Sequence, residues 1–484
     1  MSNKKNDSTT PENQQNDNTQ IRNLIITFAV GLILWFIPTP AGLESEAWQL
    51  FAIFVATIIG FILKPLPMGA IAIIAITMTA ITNTLSIEES LSGFGNTTIW
   101  LIVSAFFIAR GFIKTGLGVR ISYFFVKKFG KKTLGLSYAL LVSDLILAPA
   151  TPSNTARTGG ILFPIIKSLC ITYDSDPAKG TENKIGNFLM KTAFQGNLVT
   201  SAMFMTSMAA NPLIVSIAYD VAGLELTWTT WAVAAIVPGL VSLAVIPFVI
   251  YKITNPVVKE TPGASEWAGK KLSELGPIQK SEKYMMSVFF LILIMWIFGS
   301  DFDISATTTA FVGLSVLLIT KVLTFEDIKS EKGAWDTLCW FAALVMMASY
   351  LNELGMVGWF TEIMEGSVAG MNWITAVLVM AIAYYYSHYF FASMTAHISA
   401  MYGAFLAVMM TVGAPGYLSA LILAFFSSLM ASTTHYGTGP APIYYGSGYL
   451  SQNKWWGIGF VISLVHIIIW VVIGGLWWKF LGYW

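Results

Sequence analysis

The chain has 484 residues, 55% of them hydrophobic and 11% charged, and a formal net charge of +1. A soluble domain carries roughly a quarter charged residues, so this balance excludes one. Many stretches reach the ~20 apolar residues that cross a bilayer core, and the expected class is an all-α polytopic membrane protein with about 11 transmembrane helices.

Residues 1–20, rich in Asn, Gln, Ser and Thr with no apolar run, read as a disordered tail. The apolar stretch behind them is long and lacks a small-residue cleavage pattern, so 21–40 is expected to remain as the first transmembrane helix. Counting crossings from a cytoplasmic tail puts Lys127, Lys128, Lys131 and Lys132 inside, with the segment from Lys167 to Lys191 and the polar linker 254–283. Asp220, Glu225, Asp301, Asp303, Glu362 and Glu365 then fall outside. Basic residues favour the cytoplasmic side, which predicts a multi-pass protein of the plasma membrane with its N-terminus in the cytoplasm. Cys170 and Cys339 stand apart, without metal-ligand spacing, and read as packing residues. No metal, cofactor or nucleic acid is expected as a partner; the lipid bilayer is.

The linker divides the chain into halves that echo one another. "SAFFIARGFIKTGLGVRISYFF" (104–125) matches "ALVMMASYLNELGMVGWFTEIM" (343–364) when Gly116 is set on Gly355, an offset of 355 − 116 = 239. "SNTAR" (153–157) and "SMTAH" (393–397) give 393 − 153 = 240. Two landmarks at nearly one offset predict an internal duplication, with repeat 1 over 47–253 and repeat 2 over 284–484. The charge topology makes the repeats inverted, an arrangement that puts a transport site at the midplane between them.

Each repeat is expected to hold a re-entrant helical hairpin, 134–169 entering from inside and 371–412 entering from outside, with the pentapeptide at its tip. Pro152 and the Gly159-Gly160 pair break the first, and non-helical backbone at such depth needs a protein or cavity lining. A broken helix follows each hairpin: "TSMAANPL" (206–213), offering Ser207 and Asn211, and "THYGTGPAP" (434–442), offering Thr434, Gly437, Thr438 and Gly439. Four breaks converging near the midplane suit a small carboxylate, because half-helix N-termini attract anions. Arg157 closes the first pentapeptide and His397 the second. A central Arg costs at least ~2.5 to 3.5 kcal/mol to insert, so it needs either a partner, for which Asp144 on the same hairpin is available, or a ligand. The reading adopted is that Arg157 and His397 supply fixed positive charge to an anionic substrate, His397 adding pH sensitivity.

The strings "PSNTARTGGI", "MAANPL", "FFASMTAH" and "THYGTGPAPIYYGSGY", in an inverted duplication that covers nearly the whole chain, resemble the divalent anion/sodium symporter (DASS, INDY-type) family, most closely its dicarboxylate exchanger branch. The resemblance implies a homodimer working as an elevator, with small dicarboxylate anions as substrates. It implies substrate contacts at Ser153, Asn154 and Thr155 in the first tip and at Ser393 and Thr395 in the second. The sequence departs from the sodium-coupled members at Met394, where they have Asn, and at Pro149 and Tyr389, where they offer a short hydroxyl. A thioether is a poor ligand for a hard cation and proline has no side-chain oxygen, so exchange of C4 and C5 dicarboxylates without sodium is expected. The rival transport reading is sodium-coupled symport of di- or tricarboxylates. An intramembrane enzyme built on Ser393, His397 or His435 is disfavoured: no acidic residue sits at helical spacing to orient either histidine, and catalysis has no reason to be duplicated.

Overall fold

The computed structural model describes residues 11–368 and 372–484. Among them the structure is helical, with one isolated bridge between Lys132 and Glu260. Nine of these helices are long and apolar enough to cross a membrane, and three shorter apolar helices, Met68–Ile81, Ala306–Ile319 and Gly416–Ser432, accompany them.

The chain forms two units. One contains the residues up to Gly95 with Asp336–Phe360, the other Asn96–Trp335 with Thr361–Trp484. In the first, Pro11–Phe36 is one continuous helix, which corrects part of the expected disordered tail. Extending an existing helix fixes one residue per added hydrogen bond without a new nucleus, so a polar stretch on an apolar helix need not unfold. Residues 1–10 of that tail, and Met371 at the expected start of the second hairpin, lie outside the described residues.

The second unit is organised around the helix Gly186–Met203, buried along its whole length. It packs against Trp228–Thr254, Thr133–Leu147 and Gly416–Leu429. Small residues let these backbones approach: a Cβ on Gly196 would stand 2.0 Å from Leu141, and one on Gly239 2.6 Å from Met203. The polar linker is strapped down rather than loose. Its helix Pro262–Glu274 packs on Leu117–Phe129. Arg120 also reaches across to Glu282 at 2.5 and 3.1 Å and to the carbonyls of Gly276 and Leu275. Gly116 and Gly355, the landmarks of the expected duplication, both adopt left-handed backbone, at φ +75° and +83°. Each ends one helix and starts the next, a conformation open mainly to glycine.

Candidate functional site

Proline dictates the first hairpin. Pro149 and Pro152 cannot continue the helix Thr133–Leu147. The chain makes a tight turn over Ala148–Ala150, runs extended through Thr151, and restarts where Ser153 Oγ accepts the Ala156 amide at 3.1 Å. A π-helical segment, Thr155–Leu162, then leads into Phe163–Thr172. The second hairpin follows the same path 240 residues later. After the helix Trp373–Ser387 come a tight turn over His388–Phe390, extended Phe391, and Ser393 Oγ accepting the Ala396 amide at 3.3 Å. A π-helical turn, Ile398–Tyr402, leads into Gly403–Thr411. The broken helices dock on equivalent atoms: the Thr206 hydroxyl donates to the Pro149 carbonyl, and the Tyr436 hydroxyl to the Tyr389 carbonyl at 2.9 Å.

Arg157 is closed on protein groups. It is fully buried and all its donor groups are taken. Nε bonds Asp144 at 2.8 Å, Nη1 the carbonyls of Thr151 and Ser207 at 2.7 and 3.0 Å, and Nη2 the hydroxyls of Thr200 and Ser201 at 3.3 and 2.9 Å. Asp144 also accepts from Asn197 and Thr200. The guanidinium is thus paired with a carboxylate thirteen residues earlier on the other arm of the hairpin. His397 is turned inward likewise. Its Nε2 lies 2.8 Å from Ser387 Oγ and its Nδ1 2.8 Å from Met430 Sδ, with the ring stacked on Tyr384 at 4.6 Å. Tyr384 is also thirteen residues back, and stands 240 residues after Asp144.

The tip residues behave differently. Asn154 Nδ2 donates to Thr438 Oγ1 at 3.3 Å, and Thr155 Oγ1 comes within 3.5 Å of Asn154 Oδ1. A Cβ on Gly439 would stand 2.1 Å from Thr155 Oγ1, so the first tip rests directly on the second broken helix. Thr158 and the Tyr444 hydroxyl, 2.8 Å apart, fasten the same contact from behind. On the other side Gly437 O meets His388 Nε2 at 2.9 Å. Ser207 and Asn211 spend their donors on the carbonyls of Ser201 and Phe204, capping the central helix. Asn211 Oδ1, Thr434 Oγ1 and Thr151 Oγ1 are buried without partners among the described residues. Ser393 and Thr395 are half-buried, and no side-chain hydrogen bond of theirs reaches the first tip. The structure thus brings together Asn154, Thr155, Thr438 and Gly439, with Ser153 at the turn.

Asp144, offered from the sequence as a partner for Arg157, pairs with it in the structure. One feature escaped the sequence reading. Lys191, counted from sequence among the cytoplasmic charges, lies inside the central helix and is fully buried. The signal for it was the spacing of Asn187, Lys191 and Gln195, one polar face repeating every four residues.

Residues 18–484 match the family described as the sodium:sulfate symporter transmembrane region. The chain belongs to this family, whose match spans nearly its full length. It is 69% identical over 461 residues to "Putative malate transporter YflS" of Bacillus subtilis (strain 168), covering 95% of this chain and 96% of that one. It is 50% identical over 466 residues to "Dicarboxylate transporter 1, chloroplastic" of Arabidopsis thaliana, covering 96% and 84%. The crystal structure of the Alcanivorax borkumensis YdaH transporter shares the fold, with a TM-score of 0.54 at 12% identity over 96% of this chain and 98% of that one. The protein is a multi-pass membrane transporter, and not an enzyme.

Proposed function

We propose that the chain exchanges C4 and C5 dicarboxylates, such as succinate, malate, fumarate and 2-oxoglutarate, across the plasma membrane by an elevator-type movement of a homodimer, without sodium. The observation that carries this reading is the meeting of Asn154 and Thr155 with Thr438 and Gly439, which joins the tip of one repeat to the broken helix of the other. The names of the two relatives support the substrate class. The shared path of the two hairpins supports the inverted duplication, and the clustering of Lys127 to Lys132 beside the lysine-rich linker supports a cytoplasmic N-terminus.

Independence from sodium is supported by the chemistry of three positions. Met394 offers a thioether, and the carbonyl oxygens of Pro149 and Tyr389 already accept hydroxyl hydrogens. Exchange does not rest on Arg157, whose charge Asp144 cancels. It follows from the polar atoms left over. Asn211 Oδ1, Thr434 Oγ1 and Thr151 Oγ1 are buried and unpartnered, and each such group costs ~1 to 3 kcal/mol. The Thr434 and Thr151 hydroxyls can donate to a bound dicarboxylate, which satisfies donors that an empty site would carry bare across the membrane. Two of them raise the barrier to empty return by ~3 kcal/mol, a slowing of roughly a hundredfold.

The test is uptake of labelled succinate into proteoliposomes with and without internal dicarboxylate, in sodium and in sodium-free buffer. Uptake that needs internal dicarboxylate and ignores sodium is the expected result. Uptake into empty vesicles driven by a sodium gradient would establish symport instead.

A further inference from the structure

One buried charge in the second unit has no counterpart. Lys191 is fully buried in the central helix, and its Nζ makes no hydrogen bond among the described residues. The ammonium instead lies over two aromatic faces, 3.9 Å from the ring centre of Trp455 and 5.2 Å from that of Phe194. An ion without acceptors in a low-dielectric interior is an expensive group, and the quadrupole of a tryptophan offsets only part of the cost.

None of the charged and titratable groups on the surrounding elements is hydrogen-bonded to Nζ among the described residues. Asp144 and Arg157 are closed on each other, and the Tyr138 and Tyr444 hydroxyls are bonded to Ala244 O and Thr158. Lys167 lies over Tyr449 beside buried Cys170, while Tyr251 packs edge-on to Phe188. Lys252 and Lys454 are exposed. Tyr445 stacks near His435, and His466 is buried without a partner.

Trp455 gives this isolated cation a line to the candidate site. Its indole Nε1 donates to Thr434 O at 3.0 Å, in the broken helix that meets the first tip. Asn187 Oδ1 and Gln195 Oε1, one turn before and after Lys191 on the same face, are also buried and unpartnered. Gln195 Nε2 holds the carbonyl of Ser432 at 2.9 Å.

We propose that Lys191 is the titrating countercharge of the transported anion. Its Nζ lone pair takes a proton from water when a dicarboxylate occupies the site and returns that proton to water when the site empties. This rests on the dicarboxylate reading above. Protonated, Lys191 adds a buried uncompensated cation to the barrier that the unpartnered polar atoms already set against empty return, and transport is exchange only; neutral, it leaves only the smaller barrier and the empty carrier returns more often. Trp455 lies under Nζ and holds the Thr434 carbonyl, so a dianion at that broken helix favours the protonated form of Lys191.

The experiment compares labelled succinate uptake into vesicles with and without internal succinate from about pH 7 to pH 9, where the carboxylates stay ionised. It is paired with a pH-indicator measurement of proton uptake on succinate addition. In the unaltered protein, net uptake into empty vesicles is expected to rise about tenfold per pH unit until it levels off, and succinate addition to take up protons. Lys191→Met is expected to give net uptake independent of pH and no proton uptake. Lys191→Arg, which stays charged, is expected to give exchange at every pH and no net uptake. A ratio of exchange to net uptake that is flat with pH in the unaltered protein overturns the proposal without recourse to any variant, as does Lys191→Met retaining the unaltered pH dependence. Exchange that is present but flat removes only the role of Lys191; absence of succinate transport at every pH removes the dicarboxylate reading and this inference with it.

Discussion

Replacing Arg157 by Gln separates a brace from a ligand. The side chain makes one ion pair and four further hydrogen bonds, all to groups on the hairpin, the central helix or the first broken helix. Glutamine is too short to reach them all and carries no charge. Asp144 would keep Asn197 and Thr200 as donors but lose its only cation, and breaking a fully buried pair costs ~3 to 5 kcal/mol. The carbonyls of Thr151 and Ser207 would lose the guanidinium, adding ~1 kcal/mol or more. Against a total stability of ~5 to 15 kcal/mol, Arg157→Gln should yield a protein with a large drop in thermal midpoint in detergent, whether or not succinate is present. Adding Asp144→Asn removes the stranded charge and should recover ~2 kcal/mol or more, visible as a coupling energy in a double-mutant cycle. If Arg157→Gln melts like the unaltered protein yet no longer binds succinate, the guanidinium is a ligand after all and the brace argument is wrong.

Gly439→Ala places a methyl group 2.1 Å from Thr155 Oγ1. It should push the first tip off the second broken helix and lower succinate exchange more than about tenfold, because a displacement of ~1 Å at a positioned site costs that much or more; equal rates in proteoliposomes would show that the two segments separate freely. Asn154→Ala removes the bond to Thr438 and one amide from the tip. Succinate affinity by calorimetry should fall roughly tenfold, the value of one hydrogen bond to a charged group, and unchanged affinity would place the substrate elsewhere.

The parts of the fold that follow from short-range chemistry were legible in the sequence. Pro149 and Pro152 forbid helix at the first tip, Gly116 and Gly355 supply left-handed turns, and the 240-residue offset carried over to turns, caps and π-helical segments alike. What the residues at the tips do was legible only as chemical type. Whether Arg157 meets Asp144 or an anion depends on the direction of one side chain across a gap of thirteen residues, and no sequence pattern encodes that direction. Lys191 was missed for a related reason: a lysine near the polar end of an apolar run satisfies the charge rule for loops, and only packing reveals that the helix begins five residues earlier, at Gly186. The polar first turns of Pro11–Phe36 were missed because composition measures the ability to nucleate structure, not to extend it.

The two hairpins share a backbone path but not the bond that holds their arms. At equivalent positions the first has Asp144 with Arg157 and the second Tyr384 with His397. The first is an ion pair inside a network whose disruption costs ~3 to 5 kcal/mol. The second is a ring stack of ~0.5 to 1.5 kcal/mol, reinforced by the contact of His397 with Ser387, about 1 kcal/mol more. Local opening draws on the weakest cooperative unit, so the second tip should open first, by a margin of about 2 kcal/mol or roughly thirtyfold. Hydrogen exchange without substrate should therefore be at least about tenfold faster in peptides covering 388–400 than in those covering 148–160. Tyr384→Phe, which keeps the ring and loses only the bond to Ser427 Oγ, should change that ratio little, while Tyr384→Leu should widen it by removing the stack. Equal protection at both tips would mean that the ion pair contributes no more than the ring stack, and that the asymmetry of the two braces has no part in how the carrier opens.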